Sequence, residues 1–194
     1  MNWDKKQSMK NIFLWIQLLK EIKVTGAVAF SSSTLVKGML KTVNFSDAEI
    51  IIELGAGTGC ITELLAKKIH PSTTLLVFEV NEMFCRLLRE KFTASNIYII
   101  NDSAENLETH LYKIAGSKKA DFVISSLPFS IIDEAIRNNI ISTIKHVLNP
   151  HSVYIQYGYN KKKYNEILNR FQTVKTSFVL GNLPPAYIFN CRLH

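Results

Sequence analysis

The sequence predicts an α/β fold, a mostly parallel sheet covered by helices on both faces. Two observations carry this. From about residue 48, short apolar runs alternate with segments whose apolar residues recur every three or four positions, as strands alternating with helices do. The runs are apolar throughout rather than at every second residue, which is how strands buried on both faces read. The chain has 194 residues, 47% hydrophobic and 20% charged. That is enough for one domain with a real core, and it excludes a disordered chain.

The elements follow in order. Residues 49–54 form a strand that runs into a glycine-rich turn. A helix is expected over 58–69, with Ile61, Leu64, Leu65 and Ile69 on one face and Pro71 as its stop. Residues 73–80 form the second strand. Asn81 can cap a helix with the apolar face Phe84, Leu87, Leu88 and Phe92. Residues 97–100 form the third strand, and Asp102 or Ser103 can cap the helix through Leu107, Leu111 and Ile114. After the strand 120–125, Ser130 opens a long helix bearing Ile132, Ile136, Ile140, Ile144 and Val147. Residues 153–157 form a fifth strand, Asn160 caps a short helix, and two strands close the chain at about 173–180 and 186–193.

The formal net charge is +7, which suggests an anionic partner, nucleic acid or a membrane surface. Residues 1–45 hold seven Lys against two acids, and residues 149–194 hold six basic residues against one acid. The stretch between them has ten basic residues against thirteen acids. The basic character therefore belongs to the two ends. Cys60, Cys85 and Cys191 are far apart and lack C-x-x-C spacing, which argues against a disulfide framework or a metal site and suits a cytoplasmic setting. No apolar run approaches the roughly 20 residues of a membrane span. Lys5, Lys6 and Lys10 before Ile12–Ile16 imitate a signal peptide, but Gln17, Lys20, Glu21 and Lys23 interrupt it.

In a parallel α/β sheet, ligands sit beyond the carboxyl ends of the strands. The sharpest motif lies there: Glu53-Leu54-Gly55-Ala56-Gly57-Thr58-Gly59-Cys60. Alternate glycines allow a tight turn and close approach of a ligand to bare backbone. A dinucleotide fingerprint would place its third glycine at position 60, which is Cys. Glu53 would repel a pyrophosphate but could pair with a cationic amino group, so an amino-acid-bearing nucleoside suits the turn better. Glu79, 20 residues beyond Gly59, stands where a ribose-binding acid is expected. Asp102 can accept from an adenine amino group or cap a helix.

Together these residues resemble the class I methyltransferases, which bind S-adenosylmethionine (SAM). The resemblance implies a Rossmann-like sheet of seven strands, mostly parallel with the last antiparallel, over residues 25–194. It implies that Glu53, Gly55, Ala56, Gly57 and Gly59 face the methionine part of SAM. Glu79 with Val80 would face the ribose, and Asp102, Ser103 and Ala104 the adenine. Ser125-Ser126-Leu127-Pro128-Phe129 is similar to the Asn-Leu-Pro-Tyr motif of ribosomal RNA adenine dimethylases. Ser126 replaces their Asn, however, and the chain ends just after its last strand, so nucleic acid is the weaker expectation. Gly26 to Ser33, Ser125 to Phe129 and Asn182 to Tyr187 in that order resemble the soluble bacterial phospholipid N-methyltransferases. This second resemblance implies methylation of phosphatidylethanolamine toward phosphatidylcholine, with an ornithine lipid as another acceptor. Gly26, Ser31 and Ser125 would help enclose SAM, and Ser126, Leu127, Pro128 and Phe129 would line the amine pocket. No metal is required.

Residues 1–24 add an independent argument. Met9, Ile12, Phe13, Ile16 and Leu19 fall at helical spacing, with Trp3, Trp15 and five lysines around them. Such a helix can lie in a membrane interface rich in anionic lipid, so peripheral membrane association is expected. Packing against the domain is the alternative.

Overall fold

The computed structural model describes residues 32–193. Seven strands form one sheet: β1 Ile50–Leu54, β2 Thr74–Phe78, β3 Ile97–Ile100, β4 Ala120–Ser125, β5 Leu148–Gly158, β6 Thr173–Val179 and β7 Ala186–Arg192. Their order is β3-β2-β1-β4-β5-β7-β6. β1 to β5 pair in parallel, and β7 runs antiparallel to both β5 and β6. This is the seven-stranded arrangement expected from the sequence.

The helices are α1 Ser33–Leu40, α2 Cys60–Ala66, α3 Glu82–Lys91, α4 Leu107–Ala115, α5 Glu134–Val147 and α6 Lys161–Leu168. Side chains alternate across a strand, so β1 feeds two cores. Ile50, Ile52 and Leu54 pack with α4, α5 and α6, while Ile51 packs with α1, α2 and α3. Glu53 is in phase with Ile51 and faces the second layer.

α5, α3 and β5 differ from the sequence expectation. α5 starts at Glu134 rather than Ser130. Pro128 O first accepts the N–H groups of Ile131 and Ile132, and Asp133 is the cap, accepting from Ala135 and Ile136. On α3, Asn81 caps as expected, but the buried side is Cys85 and Leu88 while Leu87 is exposed. The helix lies beside the edge strand β3, where the sheet covers only a narrow stripe. β5 begins at Leu148 rather than Val153. Ala120 pairs with Leu148 and Phe122 with Val153, so residues 149–152 bulge opposite Asp121. The expected helix over 1–24, and the site candidates Gly26 and Ser31, lie outside the described residues. Among the described residues no helix is long and apolar enough to cross a membrane, and no cluster of metal-ligating side chains occurs.

Asp121 closes the amino ends of three strands. Its Oδ2 accepts the N–H groups of Glu49 (2.8 Å) and Ile50 (3.0 Å), and its Oδ1 accepts from Asn149 (3.1 Å). Asp121→Ala should cost about 2 kcal/mol by orphaning these donors. A scanning calorimeter should read a Tm drop of roughly 6 °C, with ligand binding at the opposite, carboxyl end unchanged.

Candidate active site

β1 leads to β2 on one side, while β4 flanks it on the other. Connections diverge at this switch point, the place beyond the carboxyl ends of β1 and β4 where an open α/β sheet binds its ligand. The two loops that leave these ends touch. Ser126 N–H donates to Leu54 O (3.0 Å), and Ser126 Oγ donates to Gly55 O. A Cβ on Gly55 would lie 3.0 Å from Leu127 Cδ2.

The glycine turn bends over the end of β2, with Gly55 and Ala56 N–H both donating to Phe78 O. Two of its glycines do different work. Gly59, at φ 85°, lies against α3: an added Cβ would stand 2.8 Å from Leu88 Cδ2. Gly57, at φ 55°, would meet nothing within 4 Å. Gly59 therefore closes the packing, and Gly57 presents bare backbone to open space.

Three carboxylates stand at the carboxyl ends of β1, β2 and β3, each in a different state. Glu53 is fully buried, and among the described residues neither of its oxygens has a well-formed hydrogen bond, although Thr62 lies near. The Thr62 hydroxyl likewise has none. Burial pushes the Glu53 pKa up to about 8; Thr62 opposes the rise only in part, and the charge of Glu79 adds to it. Glu79, buried as well, is raised by burial and opposed by backbone donors. Its Oε2 accepts from Gly57 N–H (2.7 Å) and its Oε1 from Asn81 N–H (2.9 Å). Each oxygen keeps a further lone pair for a ligand hydroxyl. Val80 beside it is exposed.

Asp102 is half-buried. Partial burial works against its charge, but His110, Asn106 and the Ser103 N–H outweigh it and hold the pKa below the usual carboxylate range. Oδ2 pairs with His110 Nε2 at 2.7 Å, while Oδ1 accepts from Ser103 N–H (2.7 Å) and Asn106 Nδ2 (2.9 Å). Ser103 caps the turn 104–106, accepting from Glu105 N–H, so capping through the side chain falls to Ser103. Ala104 is buried.

The β4 loop is held from behind by a buried polar chain. Tyr154 O–H donates to Gln156 Oε1 (2.6 Å), and Gln156 Nε2 donates to Leu127 O (3.1 Å) and Tyr157 O (2.6 Å). Ser125 Oγ accepts from Leu127 N–H (3.2 Å). Ser126, Leu127 and Pro128 are half-buried, while Phe129 is fully buried in the α4–α6 core. Phe129 is thus a wall behind the loop rather than an exposed stacking face. Sequence reasoning singled out neither Gln156 nor His110. A lone Gln in an apolar strand, which must find a partner when buried, was the available signal for the first.

An open glycine turn, a buried carboxyl short of a partner and a second carboxylate with spare acceptor capacity suit a nucleoside that carries a cationic amino acid, as SAM does.

Residues 51–151 match a family model described as a methyltransferase domain. An ornithine lipid N-methyltransferase from Singulisphaera acidiphila is 32% identical over 187 residues, covering 95% of this chain and 97% of that protein. A ribosomal RNA small subunit methyltransferase A from Hydrogenobaculum sp. is 25% identical over 130 residues, 67% of this chain; the chain spans 47% of that protein's length. Human methyltransferase-like protein 13, solved in complex with SAH, superposes with a TM-score of 0.62 at 12% identity, covering 86% of this chain and 82% of that one. This last likeness is one of fold.

A carboxyl raised from 4.5 to about 8 on folding binds its proton more tightly in the native state. Its contribution to stability is full below about pH 4.5 and is lost as pH rises through 8. Glu53→Gln should therefore match the ligand-free wild type near pH 5 and exceed its Tm by several degrees at pH 8.5. Thermal melts across that range check this; a gap independent of pH would contradict it.

Proposed function

The chain belongs to the class I SAM-dependent methyltransferases, and on that premise we propose that it methylates the amine of a membrane aminolipid. What supports a lipid acceptor is the ornithine lipid N-methyltransferase matched over 97% of its length, set against the ribosomal RNA enzyme matched over 47%. Ser126, where the RNA adenine dimethylases carry Asn, points the same way, because a hydroxyl cannot give an amide's paired donor and acceptor. An ornithine lipid is the first choice of acceptor and phosphatidylethanolamine the second. Both head groups present a primary ammonium a few bonds from an anion, so one pocket geometry serves either.

Bound SAM supplies an electrophilic sulfonium methyl. The chain's own residues do the rest by positioning and by excluding water. Glu53 takes the amino group of the methionine part and gives up its proton as that cation arrives. Glu79 accepts from the ribose hydroxyls with its free lone pairs. Asp102, Ser103 and Ala104 border the adenine, and His110 fixes the Asp102 carboxylate. Ser126, Leu127 and Pro128 wall the acceptor pocket, with Phe129 packed behind them and Gln156 holding the loop. An acceptor alkylamine resembles Lys, with a pKa of about 10 in water. Its desolvation behind the Ser126–Pro128 wall lowers that value, so the ammonium gives its proton to water on entry and presents a neutral lone pair to the methyl group.

The direct test is transfer of radiolabelled methyl from SAM by the full chain to vesicles containing ornithine lipid, to vesicles containing phosphatidylethanolamine, or to ribosomal RNA. Product chromatography should find label in the ornithine head group, or in phosphatidylethanolamine if the second choice holds. Label in RNA and in neither lipid would overturn the proposal.

A further inference from the structure

Half of the sheet's carboxyl edge lies outside the site just described. There the end of β5, the end of β6 and the start of β7 meet, with Gly158 paired to Tyr187 and Val179 to Ala186. The turn between β6 and β7, residues 180–185, inverts the usual placement of side chains. Its polar member is buried: Asn182 Oδ1 accepts from Ser32 N–H (3.0 Å), and Asn182 Nδ2 donates to Pro184 O (2.7 Å). Its two leucines stand in water. Leu180 is 75% and Leu183 74% exposed, the highest values of any large apolar side chain among the described residues. Gly181 between them is seated on Thr34, where an added Cβ would lie 3.0 Å from Thr34 Cγ2. The turn is thus pinned to α1 by its polar centre and presents leucine on either side.

Basic residues adjoin it. α6 opens on the same edge with Lys161, Lys162 and Lys163, all exposed. Lys163 Nζ donates to Ser130 O (2.7 Å), which ties this corner to the β4 loop and to the half-exposed Ile131. Over residues 149–194 the one acid is Glu166, about one turn further along α6, against six basic residues. Asp133 and Glu134 border the patch only where α5 begins. The other half of the edge, at β1 to β3, holds Glu53, Glu79, Glu82 and Asp102. The rim is therefore acidic at the glycine turn and basic with leucine tips at β5 to β7.

We infer that the β5–β7 rim is a docking surface for a bilayer containing anionic lipid: Leu180 and Leu183 enter the interface while Lys161 and Lys162 meet lipid phosphates. Apolar tips flanked by lysines are what an interface selects, the first for the acyl boundary and the second for the charged head groups. Placed this way, the membrane lies against the mouth of the Ser126–Phe129 loop, within reach of a head group whose tails stay in the leaflet. In that purpose the inference rests on the aminolipid reading above, although the surface itself does not depend on it.

The experiment compares the full wild-type chain with Leu180→Ser/Leu183→Ser and with Lys161→Glu/Lys162→Glu. It measures co-sedimentation with phosphatidylcholine vesicles with and without phosphatidylglycerol, alongside Tm and methyl transfer to a dispersed short-chain aminolipid. The serine pair should lower vesicle affinity at least about tenfold. The glutamate pair should abolish the gain that phosphatidylglycerol gives, with Tm and transfer to the dispersed substrate kept in both. Unchanged sedimentation of both variants overturns the docking surface, and the aminolipid reading then stands or falls on the dispersed substrate alone. Unchanged sedimentation with a Tm lowered by several degrees in the serine pair also overturns it, and assigns the leucines to packing with residues 1–31. Should the serine pair fail to fold, the glutamate pair decides by itself.

Discussion

Glu53 places a carboxyl group where the described chain satisfies it poorly: Thr62 lies near and eases its burial, but neither oxygen makes a well-formed hydrogen bond. It sits in the central strand, flanked by β2 and β4 and covered by α2. A charge there is costly, and even a neutral carboxyl without a partner costs on the order of 1–3 kcal/mol. The protein keeps the group neutral by raising its pKa, which leaves a site able to exchange a proton for a cation. Much of the surrounding architecture follows from this. The strand ends one residue later, the glycine turn begins at once, and Gly57 is left open above a second carboxylate.

That second carboxylate, Glu79, shows how polar groups are shared between fold and ligand. Two backbone N–H groups occupy one lone pair on each of its oxygens and fix its direction. Asp102 is fixed in the same manner by His110, Asn106 and Ser103. Beyond β4, Tyr154 and Gln156 hold the Leu127 carbonyl from inside the sheet. In each case a group meant to face outward is oriented by bonds on its inner side. Pre-orientation of this sort matters most where the protein contributes position rather than reactive groups.

The net charge of +7 resolves into places. Three of the central acids, Glu53, Glu79 and Asp102, stand at the carboxyl ends of β1 to β3 beside the glycine turn. The basic excess of residues 149–194 is carried in part by α6, beside a turn tipped with leucine. The long-range field thus differs between the two halves of one sheet edge.

The parts legible from sequence are those set by local spacing. The glycine turn, Glu79 and Asp102 each follow a strand whose apolar run is unmistakable, so their shared edge could be read directly. Asn81 and Asn160 are caps because the residues after them are helical on their own account. The parts that were not legible depend on register between distant strands. Gln156 reaches the Leu127 carbonyl only because β5 pairs Gln156 with Ser125, and residues 149–152 bulge only because Asp121 and Ala120 engage Asn149 and Ser152. Ser130 and Asp133 are equally good caps on paper; the Pro128 carbonyl decides between them by holding Ile131 and Ile132 in a turn. His110 was legible as a helix residue but not as the partner of Asp102, two turns upstream.

The central claim is that Glu53 is protonated in the free protein and exchanges its proton for the cation of the ligand. Titration calorimetry of SAH binding at pH 7, repeated in buffers of different ionisation enthalpy, reads that proton directly. With a free pKa of about 8, wild type should release roughly one proton per SAH bound, and Glu53→Gln should release none. Binding of SAH to wild type with no proton released would contradict the account.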